Sequence, residues 1–367
     1  MTKIAFTGDV AFSKHFQNTL GPDLLSDEVV NFLTEADHVV VNVEGSMTVP
    51  NFQGGKSLYH VNNPEGVHWI KKIGGDIWNL ANNHIMDCGL QGYLDTKALA
   101  VEHGCVTVGC GENIHEAERP LILEESGGIG ILSLMHTEKQ RADEDRPGNV
   151  MWDDYERIGR NIKAMKEKNR WCVIVVHGDQ EFSYLPMPYA RKKYKKYLEL
   201  GADIVVAHHP HVVQNYETFG DKIIFYSLGN FIFDTDYQRV QKYTEDGVLV
   251  KINFAEDSFS WEYLPVKINR ETQTIGKGQC PAVFCDINES EYRRLWPVTA
   301  RNFCRNLRNK KAFLDPAKKD WPLWKWWHFE LEECKKEYGK DVIRGRLAWY
   351  LQLWRLSEKK EIIDYMR

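Results

Sequence analysis

Three histidines in four residues, His208-His209-Pro210-His211, are the part of the chain hardest to explain as structure alone. His209 and His211 present two imidazoles on either side of a rigid proline, and neutral imidazole is the commonest protein ligand for metals. Other ligand types recur in short segments: Gly8-Asp9, Asn42-Val43-Glu44-Gly45, Asn82-Asn83-His84-Ile85-Met86-Asp87-Cys88-Gly89 and His177-Gly178-Asp179-Gln180-Glu181. Taken singly, each has a structural reading, since an Asp after a strand caps helices and Asn-Asn makes turns. Together they supply carboxylates, amides and imidazoles, a mixed oxygen and nitrogen set suited to a divalent Mn, Fe or Zn ion. The alternative is a polar cleft without metal.

Each of these segments follows a short apolar run, which is what must position it. Runs at 3–6, 39–43, 77–80, 105–108, 130–134, 172–176, 204–206 and 223–226 read as buried strands. Between them, 23–36, 64–73, 91–103, 153–168 and 188–200 carry apolar residues at helical spacing. Strand-then-helix repetition predicts a layered α/β fold, in which working residues gather at the carboxyl ends of strands. Residues 247–254 and 258–266 predict an antiparallel hairpin turned by Glu256-Asp257. It closes a first domain at 1–270 and leaves 271–367 as a basic, Trp-rich, mainly helical region.

Composition narrows the class. No window of the 367 residues reaches the roughly 18–20 apolar residues of a membrane span, and the first residues lack a secretory signal pattern. A cytoplasmic protein is expected, with membrane association left open. The eight scattered cysteines then read as reduced thiols. The net charge of −5 hides an asymmetry: residues 301–367 hold 17 Lys/Arg against 10 Asp/Glu, a net of +7, leaving residues 1–300 at −12. An acidic body without a recognisable binding motif argues against nucleic acid as a partner. Six of the twelve tryptophans lie in that basic tail. At helical spacing they are expected to pack back on the body or on a second subunit, the alternative being contact with a membrane surface or another protein.

The order Asp9, Asn83-His84, His177, His209-Pro210-His211 resembles the signature of the calcineurin-like metallophosphoesterases. More specifically, Val43-Glu44-Gly45, Asn82-Asn83-His84-x-x-Asp87-x-Gly89, His177-x-x-x-Glu181-Phe182, His209-Pro210-His211-Val212-x-Gln214 and Tyr226-Ser227-Leu228-Gly229-Asn230-Phe231-x-Phe233-Asp234 are similar to the CapA branch. That is the bacterial capsule-synthesis, or poly-γ-glutamate capsule, family, and the likeness spans roughly residues 1–240.

The resemblance implies a four-layer α-β-β-α sandwich with a metal site at the sheet edge, holding one or two ions. It implies Asp9, Glu44, Asn83, His177, His209 and His211 as ligands, with Glu44 in the bridging position. His84 would stand beside the site to serve a substrate oxygen or leaving group. Asp87 would orient His84 or brace its loop, and Glu181 would act as an extra ligand or a general base. Lys14 and Asn230 would meet an anionic small-molecule or polymer substrate. The implied activity is hydrolysis of a phosphate ester or of an anionic envelope polymer or precursor; the alternative is a non-hydrolytic metal-binding component of capsular polymer synthesis. The chain departs from the family pattern in three places. Ala11 replaces the histidine of Asp-x-His, Lys14 stands where arginine is usual, and His60-Val61-Asn62-Asn63-Pro64 replaces Phe-Arg-x-x-Pro. His60 and His136 lie on loops able to reach the site.

Overall fold

The computed structural model describes residues 1–18, 21–49 and 60–296, together with Thr299 and Lys325. The strands that build its two main sheets are, in chain order, β1 (Thr2–Val10), β2 (His38–Val43), β3 (Gly75–Asn79), β4 (Val106–Val108), β5 (Leu121–Leu123), β6 (Ile129–Met135), β7 (Trp171–His177), β8 (Ile204–His208), β9 (Tyr216–Phe219), β10 (Lys222–Phe225), β11 (Asn230–Ile232), β12 (Asp246–Phe254), β13 (Phe259–Asn269) and β14 (Thr274–Lys277). The first sheet has the order β14-β13-β12-β1-β2-β3-β4, with β11 paired to the end of β1. The second has the order β9-β10-β8-β7-β6-β5.

Side-chain alternation turns these strands into layers. In β7, Trp171, Val173 and Val175 face the core between the sheets, where they meet Ile4, Phe6, Val40, Val250 and Ile252 of the first sheet. Cys172, Ile174 and Val176 face the other way, against Ile158 and Ile162 of a helix at Tyr155–Lys166 and Tyr194 and Tyr197 of a helix at Pro188–Glu199. On the first sheet, Val39, Val41 and Val43 turn outward onto Val29, Leu33, Ile70 and Tyr93, carried by helices Asp27–Thr34, Val67–Lys72 and Gly89–Glu102. A strand with apolar residues on both parities is one buried on both faces. The result is the expected four-layer α-β-β-α sandwich.

The central strands run parallel: β1 with β2, β2 with β3, β6 with β7 and β7 with β8. Their carboxyl ends therefore emerge at one edge of each sheet, as the sequence predicts. The hairpin forms as β12 and β13, antiparallel from Asp246↔Lys267 to Phe254↔Phe259. The boundary expected at 270 falls inside the first sheet, because β14 pairs with β13 and Phe284 joins the inter-sheet core. Further on, Ile287 and Tyr292 pack on Leu185. The predicted tail contacts lie outside the described residues. Among those described, every cysteine is a free thiol, with Cys105, Cys110 and Cys172 buried, and no helix is long and apolar enough to cross a membrane.

The tightest point of the sandwich is Gly8, where β1 passes the turn before β11. A Cβ there would stand 2.4 Å from the Gly229 carbonyl oxygen, and backbone has nowhere to yield. Gly8→Ala should destabilise the fold by about 1–3 kcal/mol. Denaturant unfolding followed by circular dichroism should show that loss as a lower midpoint with an unchanged slope.

Candidate metal centre

Asp9 enters the site through irregular pairing. The register of β1 slips beside Asp9 against both β2 and β11, and such bulges re-aim side chains. Its Oδ1 accepts from the Asn42 amide at 2.7 Å, while Oδ2 stands 3.2 Å from His211 Nδ1. Asn42 is held in turn by the Asn79 amide, at 2.7 Å, and stands 3.3 Å from His177 Nδ1. Three neighbouring strands thus set one carboxylate and one imidazole.

Glu44 follows β2 directly and is completely buried, and neither of its carboxylate oxygens has a hydrogen-bond donor. Around its Oε1 stand His211 Nε2 at 3.7 Å, His84 Nε2 at 3.8 Å and His177 Nε2 at 3.9 Å. His177 Nε2 also lies 2.8 Å from Asn83 Oδ1 and 3.2 Å from His209 Nδ1. Ligand atoms of Asp9, Glu44 and His177 lie within 4.8 Å of one another. A divalent cation supplies what the buried Glu44 oxygens lack, and the residues present fit one.

The loop after β8 is bent sharply to deliver its imidazoles. His209 and His211 have φ of +97° and +56°, and Asp179 and Phe182, after β7, have +90° and +64°. Left-handed conformations at non-glycine residues cost about 1–3 kcal/mol each and gather where function requires them.

Electrostatics separate the histidines. Burial, reinforced by neighbouring imidazoles, holds His60, His177 and His209 well below the ordinary pKa, in the neutral form that binds metals. Burial likewise lowers His208 to about 4, although Asp9 opposes it. Burial also works against charge on His211, but Glu44 and Asp9 outweigh it and raise its pKa to about 9. The same burial lifts the Glu44 carboxyl well above its usual range.

Of the predicted residues, Asp9, Glu44, Asn83, His84, His177, His209 and His211 converge. Asp87 takes its expected place, 2.7 Å from His84 Nδ1 through Oδ2. Glu181 accepts from the Tyr237 hydroxyl at 2.8 Å. Lys14 is exposed and near enough to His60 to depress its pKa. Asn230 differs from expectation: it is fully buried, with Oδ1 3.0 Å from His211 Nδ1 and its amide donating to the Thr244 carbonyl at 2.8 Å. It orients His211 rather than meeting substrate.

The sequence places Asn42 in the segment that carries Glu44 but gives it no role of its own. His60 and His136 do reach the centre, the first edge-on to His84 with ring centroids 4.3 Å apart, the second 4.3 Å from the His209 ring. His208 sits behind, with Nδ1 3.6 Å from Asp9 Oδ1.

Fold and site together define an α-β-β-α sandwich protein with a candidate metal centre at the carboxyl edge of its sheets. The family model described as bacterial capsule synthesis protein PGA_cap matches residues 3–235, and the chain belongs to that family. It is 30% identical over 278 residues to the PGA biosynthesis protein CapA of Bacillus subtilis (strain 168), covering 73% of this chain and 72% of that one. It is also 30% identical over 268 residues to the capsule biosynthesis protein CapA of Bacillus anthracis, covering 69% of this chain and 64% of that one. Among solved structures, a putative 5'-nucleotidase from Staphylococcus aureus aligns with a TM-score of 0.43 and 15% identity, over 80% of this chain and 57% of that one.

The raised His211 and Glu44 values have a consequence for stability. Both mean that the metal-free folded chain binds more protons than the unfolded chain; the Glu44 contribution is full only below the unfolded carboxylate pKa of about 4.3, and the His211 contribution is full below the unfolded histidine pKa of about 6.5. The His211 contribution is lost as pH rises through about 9. Metal-free protein should therefore melt at progressively lower temperature between those two histidine values, whereas protein saturated with Mn or Zn should not, the cation having replaced the proton. Thermal melts across that window, with chelator or with metal, check this.

Proposed function

We propose that this protein is a divalent-metal hydrolase acting on an anionic component of a capsule or cell-envelope polymer, as a phosphate ester, the polymer or its precursor. The observation that carries this reading is Glu44, a fully buried carboxylate without a hydrogen-bond donor on either oxygen, set among Asp9 and three imidazoles. The substrate class follows from the family, whose Bacillus relatives are named for PGA and capsule biosynthesis. A cation held by Asp9, Glu44, Asn83, His177, His209 and His211 would supply Lewis acidity, polarising a phosphoryl or carbonyl oxygen and acidifying water.

The chain's own side chains do the positioning. The Asn42 amide nitrogen stands against the His177 ring, and Asn230 Oδ1 against His211 Nδ1; an acceptor such as Asn230 Oδ1 sets which imidazole nitrogen faces the centre. With His84 Nδ1 tied to Asp87, Nε2 is the nitrogen that turns toward Glu44, on the partly exposed side of the centre. Lys14, exposed at the rim, adds a positive charge that attracts an anionic substrate without the bidentate grip of arginine. The second reading is a non-hydrolytic metal-binding component of capsular polymer synthesis. Two residues favour it: Ala11 gives no ligand at the end of β1, and Val61 gives no charge.

Chromogenic phosphomonoesters and phosphodiesters, assayed with Mn, Zn, Mg or chelator, separate the two. Turnover should follow the metal, vanish with chelator and fall to background in Glu44→Gln. His84→Ala should lose roughly 10²–10⁴-fold in turnover. Unchanged turnover in Glu44→Gln would overturn the assignment, and bound metal without turnover on any ester or peptide supports the second reading.

A further inference from the structure

A cavity of about 750 Å³ opens on the same edge of the sandwich as the metal centre, and none of the residues placed at that centre lines it. β12 runs antiparallel to β1 and begins at Asp246, so its first residues stand at the carboxyl end of β1. Gly247 bridges Gly229, whose neighbour Asn230 stands opposite Asp9. Glu245 and Asp246 line the cavity where β12 begins, together with Lys267 of β13 and Tyr243. Tyr184 and Val213 line it from the loops after β7 and β8, and residues 278–283 complete it. Strands in a sheet are about 5 Å apart, so β12 and β13 set the cavity one or two strand widths along the edge from β1.

One aromatic cluster joins the two places. Phe182 lies 6.3 Å from the His211 ring and 5.6 Å from the Tyr237 ring, and Tyr184 and Val212 pack in the same cluster. Tyr184 in turn meets Tyr243 edge-on at 5.6 Å, and both rings line the cavity. A chain molecule with its reacting ester at the metal centre therefore reaches the cavity within a few units.

Charge decides what kind of unit fits. Lys267 stands 3.1 Å from Asp246 and 3.7 Å from Glu245, Glu245 faces Arg270 at 3.4 Å, and Lys277 turns to Glu28 at 2.8 Å. These positive groups are matched by carboxylates, so a polyanion meets no surplus positive charge here. A hydroxyl-rich ring is better served. Tyrosine rings carry a negative face for its C–H side. The carboxylates accept from its hydroxyls, and Lys267 and the Gln279 amide donate to them. The volume is within the range of pockets that hold small organic ligands.

We infer that this cavity is a subsite for an uncharged glycosyl unit, so that the substrate is a glycan whose charge lies at the metal centre rather than a polyanion along its whole length. The inference rests on the hydrolase reading for what reacts at the centre, while binding in the cavity is measured without it.

The test is calorimetry and saturation-transfer NMR on the full chain in chelator, with maltotetraose, cellotetraose and N-acetylchitotetraose as probes and tetra-γ-glutamate as the anionic comparison. At least one glycan should bind, and tetra-γ-glutamate should not compete with it. Tyr243→Ala should weaken the glycan roughly 3–10-fold. Ala282→Trp, at an exposed position in the lining, should block binding with an unchanged melting temperature. If Tyr243→Ala does not fold, Ala282→Trp decides. No glycan bound by wild type overturns the inference, as does glycan binding that Ala282→Trp leaves unchanged. Tetra-γ-glutamate bound instead, and lost in Ala282→Trp, overturns the glycosyl class. All three results leave the metal reading standing, whereas glycan binding here without turnover on any ester removes the hydrolase reading alone.

Discussion

A carboxylate stripped of water and given no hydrogen-bond donor is among the costliest groups a protein can bury, and Glu44 is such a group. Its surroundings answer that cost with positive charge. In the metal-free chain the charge is a proton held at His211, whose pKa rises to about 9 because Glu44 and Asp9 face it. A divalent cation does the same work more strongly, and the imidazoles around Glu44 are its natural ligands. The sharp turns at His209 and His211 and the slipped register at Asp9 are local strains that this cluster requires.

The fold's contribution is to bring donors from distant parts of the sequence to that carboxylate. Parallel pairing sends the ends of β1, β2, β3, β7 and β8 to one edge of the sandwich. Apolar packing on both faces of β7 keeps those ends from moving relative to one another. Behind the ligands, Asn42, Asn79 and Asn230 form a buried layer of amides that sets ring orientation. Asp87 does this twice, for His84 and for the backbone of His60. Metal affinity and ring geometry are thus written partly in residues that would touch no metal.

Much of this was legible in the sequence. Short apolar runs marked the strands because buried parallel strands leave no polar face, and Asp9, Glu44 and the paired histidines stood out as ligand types following them. Asn42 was not legible, since an amide inside a strand looks like any buried polar residue until its neighbours are known. Asn230 was expected to meet substrate because of its motif, but its register opposite Asp9 and its bond to Thr244 bury it. His60 could be flagged only as a loop residue within reach, because its approach depends on the left-handed backbone at Gly45. The boundary at 270 was misplaced because β14 is short and its pairing with β13 leaves no periodic signal.

The central claim is that Glu44 is the hub of a divalent-metal centre. Crystals grown with Mn or Zn and measured at the metal's absorption edge test it most directly. The account predicts an anomalous peak about 2.0–2.3 Å from a Glu44 carboxylate oxygen, with imidazole nitrogens at similar distances. Well-ordered Glu44 with no peak beside it, at saturating metal, would contradict it.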